Sequence, residues 1–267
     1  MSVAASFALL SAPLFSPLSI LAENSHFVTT ESIVAHILRD QQDYDTAFTY
    51  ANRAVKIARS THNNELIASA LLRRGLISFD KDDIPHTLID LDTAYNLSKH
   101  ENAALRGFIA QTAAYAHACV KDNSLETTQA LKLFDQAGNI IRQGKIEDDQ
   151  SFVKLNSGWY HTERAGALLI MKRPTEAFDE LDRAEKHLEP DQPRRRAYIN
   201  IVRAKVYFST GEFEAATILA EDALTTSQAV KSEQNVAYIE ELHKKLSKSK
   251  HSNSPQVARL GRLLKSH

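Results

Sequence analysis

A pair of small residues seven positions apart recurs five times along this 267-residue chain, and this recurrence constrains the fold more than any other feature. The five pairs are Ala47/Ala54, Thr87/Ala94, Ala130/Ala137, Ala177/Ala184 and Ala216/Ala223. Nine of these ten positions are alanine, whereas 35 alanines in 267 residues would place one or two there by chance. Seven residues is close to two helical turns, so each pair marks one side of an α-helix. The chain is therefore predicted to consist of repeated helical units.

Each pair has a matching position earlier in the chain. Another small residue lies twelve positions before the first member of each pair: Ala35, Gly75, Ala118, Ala165 and Ala204. Small residues on two antiparallel helices let the backbones approach closely, and a bulkier residue within the pair fills the space alongside. Each unit is thus predicted to be a helical hairpin with a short turn, as at residues 39–44, 79–84 and 209–213.

The third unit departs from the common spacing. The first members of the pairs lie 40, 43, 47 and 39 residues apart, and the run Asp122-Asn123-Ser124 suggests an insertion. We expect that insertion to shift the first helix of the third unit by one turn.

The second helices contain a recognisable motif. Ala130, Phe134 and Ala137 match the pattern A-x₃-F-x₂-A, which resembles the tetratricopeptide repeat. The resemblance implies an all-α fold, a right-handed superhelical solenoid of about five helical hairpins. A helix near residues 232–246 and a short amphipathic helix at Pro255–Lys265 are predicted to form a C-terminal capping pair.

Composition agrees with a helical chain and excludes several other classes. Only 8 glycines and 7 prolines are present, 43% of residues are hydrophobic, and the formal net charge is −1. This apolar fraction is too high for a disordered chain, and the near-zero charge gives no overall nucleic-acid signature. The single cysteine, Cys119, excludes an intramolecular disulfide and a multi-cysteine metal site.

Residues 1–28 differ from the rest of the chain. No charged residue lies between Ser2 and Ala22, and Pro13 and Pro17 interrupt the apolar stretch. A secretory signal needs a cationic start, and a membrane span needs ~20 predominantly apolar residues. We interpret residues 1–28 as a linker or packed lead-in of a cytoplasmic protein, with a cleaved signal or a span as alternatives. The repeat domain is predicted at residues 29–246, followed by a polar linker and capping helix at 247–267.

The second half of the chain has a more specific likeness. Its motifs are GWYHTERA (158–165), RPTEA (173–177), QPRRRAYI (192–199), GEFEAAT (211–217) and SPQVARL (254–260). Together they resemble the C-terminal repeat region of bacterial helix-turn-helix (XRE-type) transcriptional regulators. The likeness extends from residue 44 to the C-terminus and is strongest over residues 158–264. It implies a sensor half that binds a signalling peptide or protein and supports dimerisation. No DNA-reading domain can be assigned to this sequence, so no direct DNA binding is expected.

The sequence contains no residue pattern typical of a catalytic or cofactor-binding site. The eleven histidines show no metal-binding pair spaced four apart on a helix, and no phosphate-binding glycine loop is present. His117 and Cys119 lie two positions apart and so point to different sides of a helix; Cys119 is interpreted as a small core residue. We therefore expect no enzyme activity, cofactor or metal.

The candidate site is the concave face that the first helices of stacked hairpins present together. Positions counted from the small packing residues place eleven side chains there: His36, Arg39, Arg73, Leu76, Phe79, Tyr115, Trp159, Thr162, Tyr198, Ile201 and Lys205. Cations can bind the carboxylates or carbonyls of a peptide, and aromatic residues can anchor it. The alternative is that Trp159, Tyr198, Phe79 and Leu76 pack between repeats as core, and that Arg73 and Lys205 are simply solvated.

Two basic features have alternative interpretations. The run Arg194-Arg195-Arg196 opens a first helix and either pairs with acids such as Glu185 and Glu189 or marks a binding patch. Residues 241–267 hold seven Lys or Arg against one acid, which is interpreted as a solvated cap, with a weak contact to nucleic acid or another anion as the alternative.

These observations predict a non-enzymatic module that binds a peptide or protein, as the sensor or dimerisation part of a regulator without its helix-turn-helix. A homodimer is an open alternative for the partner, and no membrane contact is expected. The alternative function is a structural scaffold or adaptor that assembles a complex without a signalling ligand.

Overall fold

The structure is a computed structural model that describes residues 17–144 and 155–265, with side chains described from Ser25 onward in these ranges. Within them the chain is all-helical, and no β-strand occurs. Twelve α-helices follow one another: α1 Pro17–Asp40, α2 Tyr44–Ser60, α3 Asn64–Asp80, α4 Ile84–Leu97, α5 Ala103–Ala118, α6 Ser124–Arg142, α7 Ser157–Ile170, α8 Pro174–Lys186, α9 Pro193–Thr210, α10 Phe213–Ala229, α11 Glu233–Ser247 and α12 Pro255–Lys265. A 3₁₀ turn, Ser98–His100, follows α4.

The helices pack as consecutive hairpins. Helices α1 and α2, α3 and α4, α5 and α6, α7 and α8, and α9 and α10 form the five most closely packed pairs, so five hairpins stack in chain order. In each hairpin we call the odd-numbered helix the first helix and the even-numbered one the second. This architecture confirms the predicted all-α solenoid.

The turns within the hairpins share one backbone conformation. Two positions before each second helix, one residue adopts the left-handed conformation with φ between 54° and 88°: Gln42, Asp82, Asp122, Lys172 and Gly211. The side chains of Asp43, Asp83 and Asn123 then accept backbone N–H groups at the start of α2, α4 and α6. Such caps satisfy N–H groups that have no partner within the helix. The predicted turns therefore lie where the sequence placed them.

The predicted small-residue pairs form the contacts within the hairpins. All ten members are at most 1% exposed, as are Ala35, Ala165 and Ala204 on the first helices. At Gly75 a Cβ atom would lie only 3.1 Å from Leu91 of α4, so α3 and α4 approach there more closely than an alanine would comfortably allow. The alanine-rich pattern thus reports close helix packing.

The third hairpin shows the expected shift of its first helix. Helix α5 ends at Ala118, and Cys119 and Val120 lengthen the turn before α6. Helix α6 begins six residues before Ala130, whereas α2, α4, α8 and α10 begin three residues before their first small residue. Helix α5 therefore ends twelve residues before Ala130, whereas the other first helices end six or seven residues before the first small residue of the next helix. Asn123 in addition caps α6 one helical turn early.

The boundary predicted at residue 28 does not coincide with a change of structure. Helix α1 begins at Pro17, so a continuous helix crosses that boundary. Pro17 occupies the first helical position, where its missing N–H needs no partner. Residues 1–16, 145–154 and 266–267 lie outside the described residues.

The C-terminal pair packs on the end of the fifth hairpin. Val257 and Leu260 of α12 are buried with Leu242 and Leu246 of α11 and with residues of α10. Arg259 of α12 pairs with Glu221 of α10 at 3.3 Å. Among the described helices, none is both long and apolar enough to cross a membrane.

Candidate functional site

The first helices converge on a shared surface, which we call the concave face. Burial raises the pKa of Glu163 on α7, and the positive charge of Arg39 on α1 opposes that rise. Burial also raises the pKa of Tyr115 on α5 and of Tyr238 on α11, and the negative charge of Glu163 adds to both rises. Charges affect one another in this way only at short range. Side chains from opposite ends of the chain therefore face one another.

An ion pair lies at the N-terminal end of this face. Arg39 Nε lies 2.5 Å from Asp80 Oδ2, which joins α1 to the end of α3, and both side chains are largely buried. Burial alone would lower the pKa of Arg39, but the Asp80 carboxylate outweighs it, so the pKa is raised. Arg39 is thus held charged on the concave face by an acid on the next hairpin.

His36, Arg73 and Leu76 lie beside this pair. They surround a narrow depression between α1 and α3, next to a cavity of about 170 Å³ that is lined by Ser32, Ser69 and Arg73 among others. His36 is exposed on the concave face, yet the surrounding protein lowers its pKa by desolvation. The charge of Asp40 opposes this effect, and the cations Arg73, Arg39 and Arg194 add to it. This end of the face is therefore rich in cations.

Aromatic side chains continue the face toward the C-terminus. Phe79 and Tyr115 meet edge to face with ring centroids 5.7 Å apart, which joins α3 to α5. Trp159 stacks on Tyr198 at 5.3 Å, and Tyr198 meets Tyr238 at 5.8 Å. All five side chains remain partly exposed. These side chains pack between neighbouring repeats and also leave part of each ring exposed to solvent.

A glycine makes room for one of these rings. A Cβ atom at Gly166 of α7 would lie 2.8 Å from Tyr115 Cε2, well inside van der Waals contact. Gly166 therefore allows the Tyr115 ring to lie against the backbone of α7, between the third and fourth hairpins.

Glu163 lies among the aromatic side chains. The Tyr198 hydroxyl donates a hydrogen bond to Glu163 Oε1 at 3.2 Å. Burial raises the pKa of Glu163 to about 7, although the Tyr198 hydrogen bond and the charge of Arg39 act in the opposite direction. Loss of hydration is thus the dominant influence on this carboxyl group.

Lys205 on α9 lies at the C-terminal end of the face. Its ammonium is 4.9 Å from the centroid of the Tyr238 ring and 3.5 Å from Glu241 Oε2. Burial lowers the pKa of Lys205, and Lys245 lowers it further, while Glu241 raises it. Glu241 also pairs with Lys245 at 2.6 Å, so it forms ion pairs with both Lys205 and Lys245.

Two of the eleven predicted residues do not belong to the surface. Thr162 and Ile201 are fully buried; Thr162 donates its hydroxyl to Gly158 O at 2.8 Å, and Ile201 packs in the core of the fifth hairpin. Each precedes the small packing residue of its helix by three positions, which places it on the same, inward side. Both are corrected to core residues.

Sequence reasoning missed two residues of the concave face, Glu163 and Tyr238. Glu163 precedes Ala165 by two positions, as Arg73 precedes Gly75, so the repeat register contained a signal for it. Tyr238 belongs to α11, which was interpreted only as part of a cap.

The predicted pairing of residues 194–196 with Glu185 is wrong. Glu185 instead forms an ion pair with Arg203 at 3.2 Å, and Arg195 donates a hydrogen bond to Gln192 at 2.8 Å. Arg194 and Arg196 are exposed at the start of α9.

The single thiol of the sequence, Cys119, is half-buried after the end of α5. Burial raises its pKa to about 12. The described residues contain no group of three His, Cys, Asp or Glu side chains placed to hold a metal ion. This finding covers residues 17–144 and 155–265 only.

Comparison with known proteins supports the fold. No protein-family model matches the sequence, and no curated protein matches it. Among solved structures, two crystal structures of the nearly identical TPR-like repeats of a putative kinesin light chain from Podosopora anserina are similar to this chain. The first, of a point variant, aligns over 78% of this chain and 98% of that chain, with a TM-score of 0.54 and 15% sequence identity. The second aligns over 79% and 98%, with a TM-score of 0.52 and 16% identity.

At such low identity the likeness concerns the fold alone. It agrees with the sequence pattern and with the six consecutive helix pairs of the described residues. The described chain has the fold of a TPR-like repeat solenoid.

Proposed function

We propose that this protein is a non-enzymatic interaction module that binds an extended segment of a peptide or protein on its concave face. The observation that carries the proposal is the continuous series of partly exposed aromatic and charged side chains on successive first helices. The proposal assigns no catalytic residue, cofactor or metal, and no contact with DNA or a membrane.

The rings form a continuous row across three successive first helices. The ring centroids of Trp159, Tyr198 and Tyr238 follow one another at 5.3 and 5.8 Å. Aromatic anchors flanked by charged groups are the usual composition of a strong binding surface. Each hairpin can therefore contact a further part of the ligand.

The finer proposal is that the module is the sensor or dimerisation part of a bacterial transcriptional regulator. It is supported by the sequence likeness over residues 158–264, which include Trp159, Glu163, Tyr198 and Lys205.

The alternative is a scaffold that assembles a complex. A dose-dependent rise of the melting temperature with a short peptide favours the sensor, because a ligand that binds only the folded state stabilises it. A large complex that co-purifies without such a response favours the scaffold.

We propose a second interaction, the self-association of two copies of this chain through α1. Phe27, Ile33 and Ile37 on α1 are 57%, 39% and 51% exposed, and no hairpin precedes α1 to cover them within the described chain. Sedimentation velocity of the wild type against a Phe27→Glu/Ile37→Glu variant tests this proposal. Conversion of a dimer to a monomer supports it; a monomeric wild type, or a dimer that persists in the variant, contradicts it.

The test of concave-face binding uses peptides selected from a random library on the immobilised wild-type protein. The variant Arg73→Ala/Lys205→Glu alters two concave cations, and Arg59→Ala/Lys186→Glu makes the same changes at exposed positions of second helices. We expect the first variant to weaken the selected peptides by about tenfold or more and the control to leave them unchanged. Thermal unfolding verifies that both variants fold. Unchanged binding of the selected peptides to Arg73→Ala/Lys205→Glu would contradict peptide binding on the concave face.

A further inference from the structure

We propose that Glu163, together with the rings of Trp159, Tyr198, Tyr115 and Tyr238, forms a subsite for a cationic group of the bound peptide, the ammonium of a lysine or the guanidinium of an arginine. This inference rests on the proposed function, because it names the ligand chemistry that one part of the concave face would accept.

Glu163 differs from its acidic neighbours in having no cation against it. Within the described residues no Lys, Arg or His lies at ion-pairing distance from its carboxylate, and its one hydrogen bond comes from the neutral Tyr198 hydroxyl. Other acids on or beside the first helices are paired: Asp80 with Arg39 at 2.5 Å, Asp90 with Arg74 at 2.6 Å and Glu241 with Lys245 at 2.6 Å. In the described part of the chain, this carboxylate of the face is therefore left without a counterion.

The nearby cations are already occupied. Arg39 is held by Asp80, and Lys205 lies between the Tyr238 ring and Glu241. Either would have to leave an existing partner to reach Glu163. A cation supplied by the ligand would meet the carboxylate with no such loss.

The side chains around Glu163 are of the kind that binds cations. The face of an aromatic ring attracts an ammonium or guanidinium within about 6 Å of its centroid. The molecule already uses this contact nearby, where Lys205 lies 4.9 Å from the centroid of Tyr238. Tyr198 stacks on Trp159 and approaches Tyr238, so the ring whose hydroxyl contacts the carboxylate is itself in contact with two other rings.

The electrostatics of the carboxyl group agree with this arrangement. Desolvation raises the pKa of Glu163 to about 7, and the Tyr198 hydrogen bond and the charge of Arg39 offset this only in part. A cation bound there would compensate the carboxylate for its lost hydration. Glu163 is only partly exposed, so the contact would be shielded from bulk water.

The chain offers a built-in reporter for the test. Trp159 is the only tryptophan of the sequence, and it stacks on the tyrosine that contacts Glu163. The probe is N-acetyl-tri-arginine amide, and the matched control is N-acetyl-tri-citrulline amide, which keeps the shape and loses the charge. Tryptophan emission of the full-length protein is titrated with each peptide at physiological salt and pH 8.

The variants are Glu163→Gln and the control Glu240→Gln, which makes the same change at an exposed position of α11. We expect saturable binding of the arginine peptide to the wild type and to Glu240→Gln, and about tenfold or more weaker binding to Glu163→Gln. The citrulline peptide should cause no saturable change. Thermal unfolding verifies that Glu163→Gln is folded.

Three outcomes would overturn the subsite: no saturable response to the arginine peptide, an equal response to the citrulline peptide, or full binding in Glu163→Gln. None of these bears on whether library-selected peptides require Arg73 and Lys205. Failure of the subsite is thus distinguishable from failure of the proposed function.

Discussion

The hydroxyl of Tyr198 on α9 donates a hydrogen bond to the carboxylate of Glu163 on α7, with 3.2 Å between the two oxygens. The same tyrosine ring stacks on Trp159, one turn before Glu163 on α7. The fourth and fifth hairpins are therefore joined on the concave face by a polar and an aromatic contact from a single side chain.

The first prediction concerns the pH dependence of stability at Glu163. Its pKa in the folded protein, about 7, exceeds the ordinary value of 4.5, so its contribution to stability is complete below pH 4.5 and is lost as the pH rises through 7. A glutamine in its place would be neutral at every pH and could still accept from Tyr198. We expect Glu163→Gln to gain stability over the wild type between pH 5 and pH 8, on the order of 1–2 kcal/mol.

Urea unfolding at both pH values measures this difference. The control Glu240→Gln should show no such change between pH 5 and pH 8, since Glu240 is exposed. Equal behaviour of the two variants would contradict the desolvated state of Glu163.

The second prediction concerns His117, which joins two hairpins. His117 is 5% exposed; its Nε2 lies 3.1 Å from Asp92 Oδ1 on α4, and its Nδ1 contacts Glu126 on α6. Only the protonated ring donates from both nitrogens. Burial opposes the charge, but the two carboxylates outweigh it and raise the pKa of His117 above 6.5.

This contribution to stability is therefore complete below pH 6.5 and is lost as the pH rises through the raised pKa. We expect His117→Gln to cost more stability at pH 6 than at pH 8.5, by about 1 kcal/mol. Chemical unfolding of this variant and of His100→Gln, at an exposed position, checks the expectation. A cost that does not vary with pH would show that the ring is not protonated in the fold.

The third prediction concerns the fit of Tyr115 against α7. In Gly166→Ala the added methyl would lie 2.8 Å from the Tyr115 ring, so the ring must move. We expect a loss of about 1–3 kcal/mol in the free energy of unfolding. Gly158→Ala on the same helix is the matched control, because its nearest contact would be an ordinary 3.4 Å. The control should be neutral or stabilising, since alanine favours helix over glycine; equal losses at both sites would contradict the close approach.

The fourth prediction concerns the chemistry of Cys119. Burial, together with the charges of Glu163 and Asp82, raises the pKa of its thiol to about 12. Because the thiolate is the reactive form, alkylation by iodoacetamide at pH 8 should be far slower in the folded protein than in urea. Mass spectrometry follows the reaction. Comparable rates in the two conditions would show that the thiol is neither buried nor perturbed.

The periodic part of the sequence was enough to predict the hairpins. Alanine at Ala47, Ala54 and their counterparts is needed where two helices touch, and that requirement is local to each unit. The turns were predictable for the same reason, since each occupies the few residues between two periodic segments. The early start of α6 depends on capping by Asn123, which spacing alone does not show.

The concave face was predictable only in part. Positions counted from a packing residue identify the side of a helix to within about one residue, so Thr162 and Ile201 were assigned to the surface although both are core. Glu163 and Tyr238 depend on how α7 and α11 face α1 and α5 across the solenoid. That relationship arises from the stacking of all six helix pairs and is not encoded in any one repeat.

Binding on the concave face can be located by hydroxyl-radical footprinting of the protein with a library-selected peptide bound. We expect oxidation of Trp159, Tyr198 and Tyr238 to fall in the complex. Three side chains are exposed on second helices: Ile89, Leu125 and Ile218. Their oxidation should be the same in the complex as in the free protein. Protection of those second-helix side chains, with the three rings unchanged, would contradict binding on the concave face.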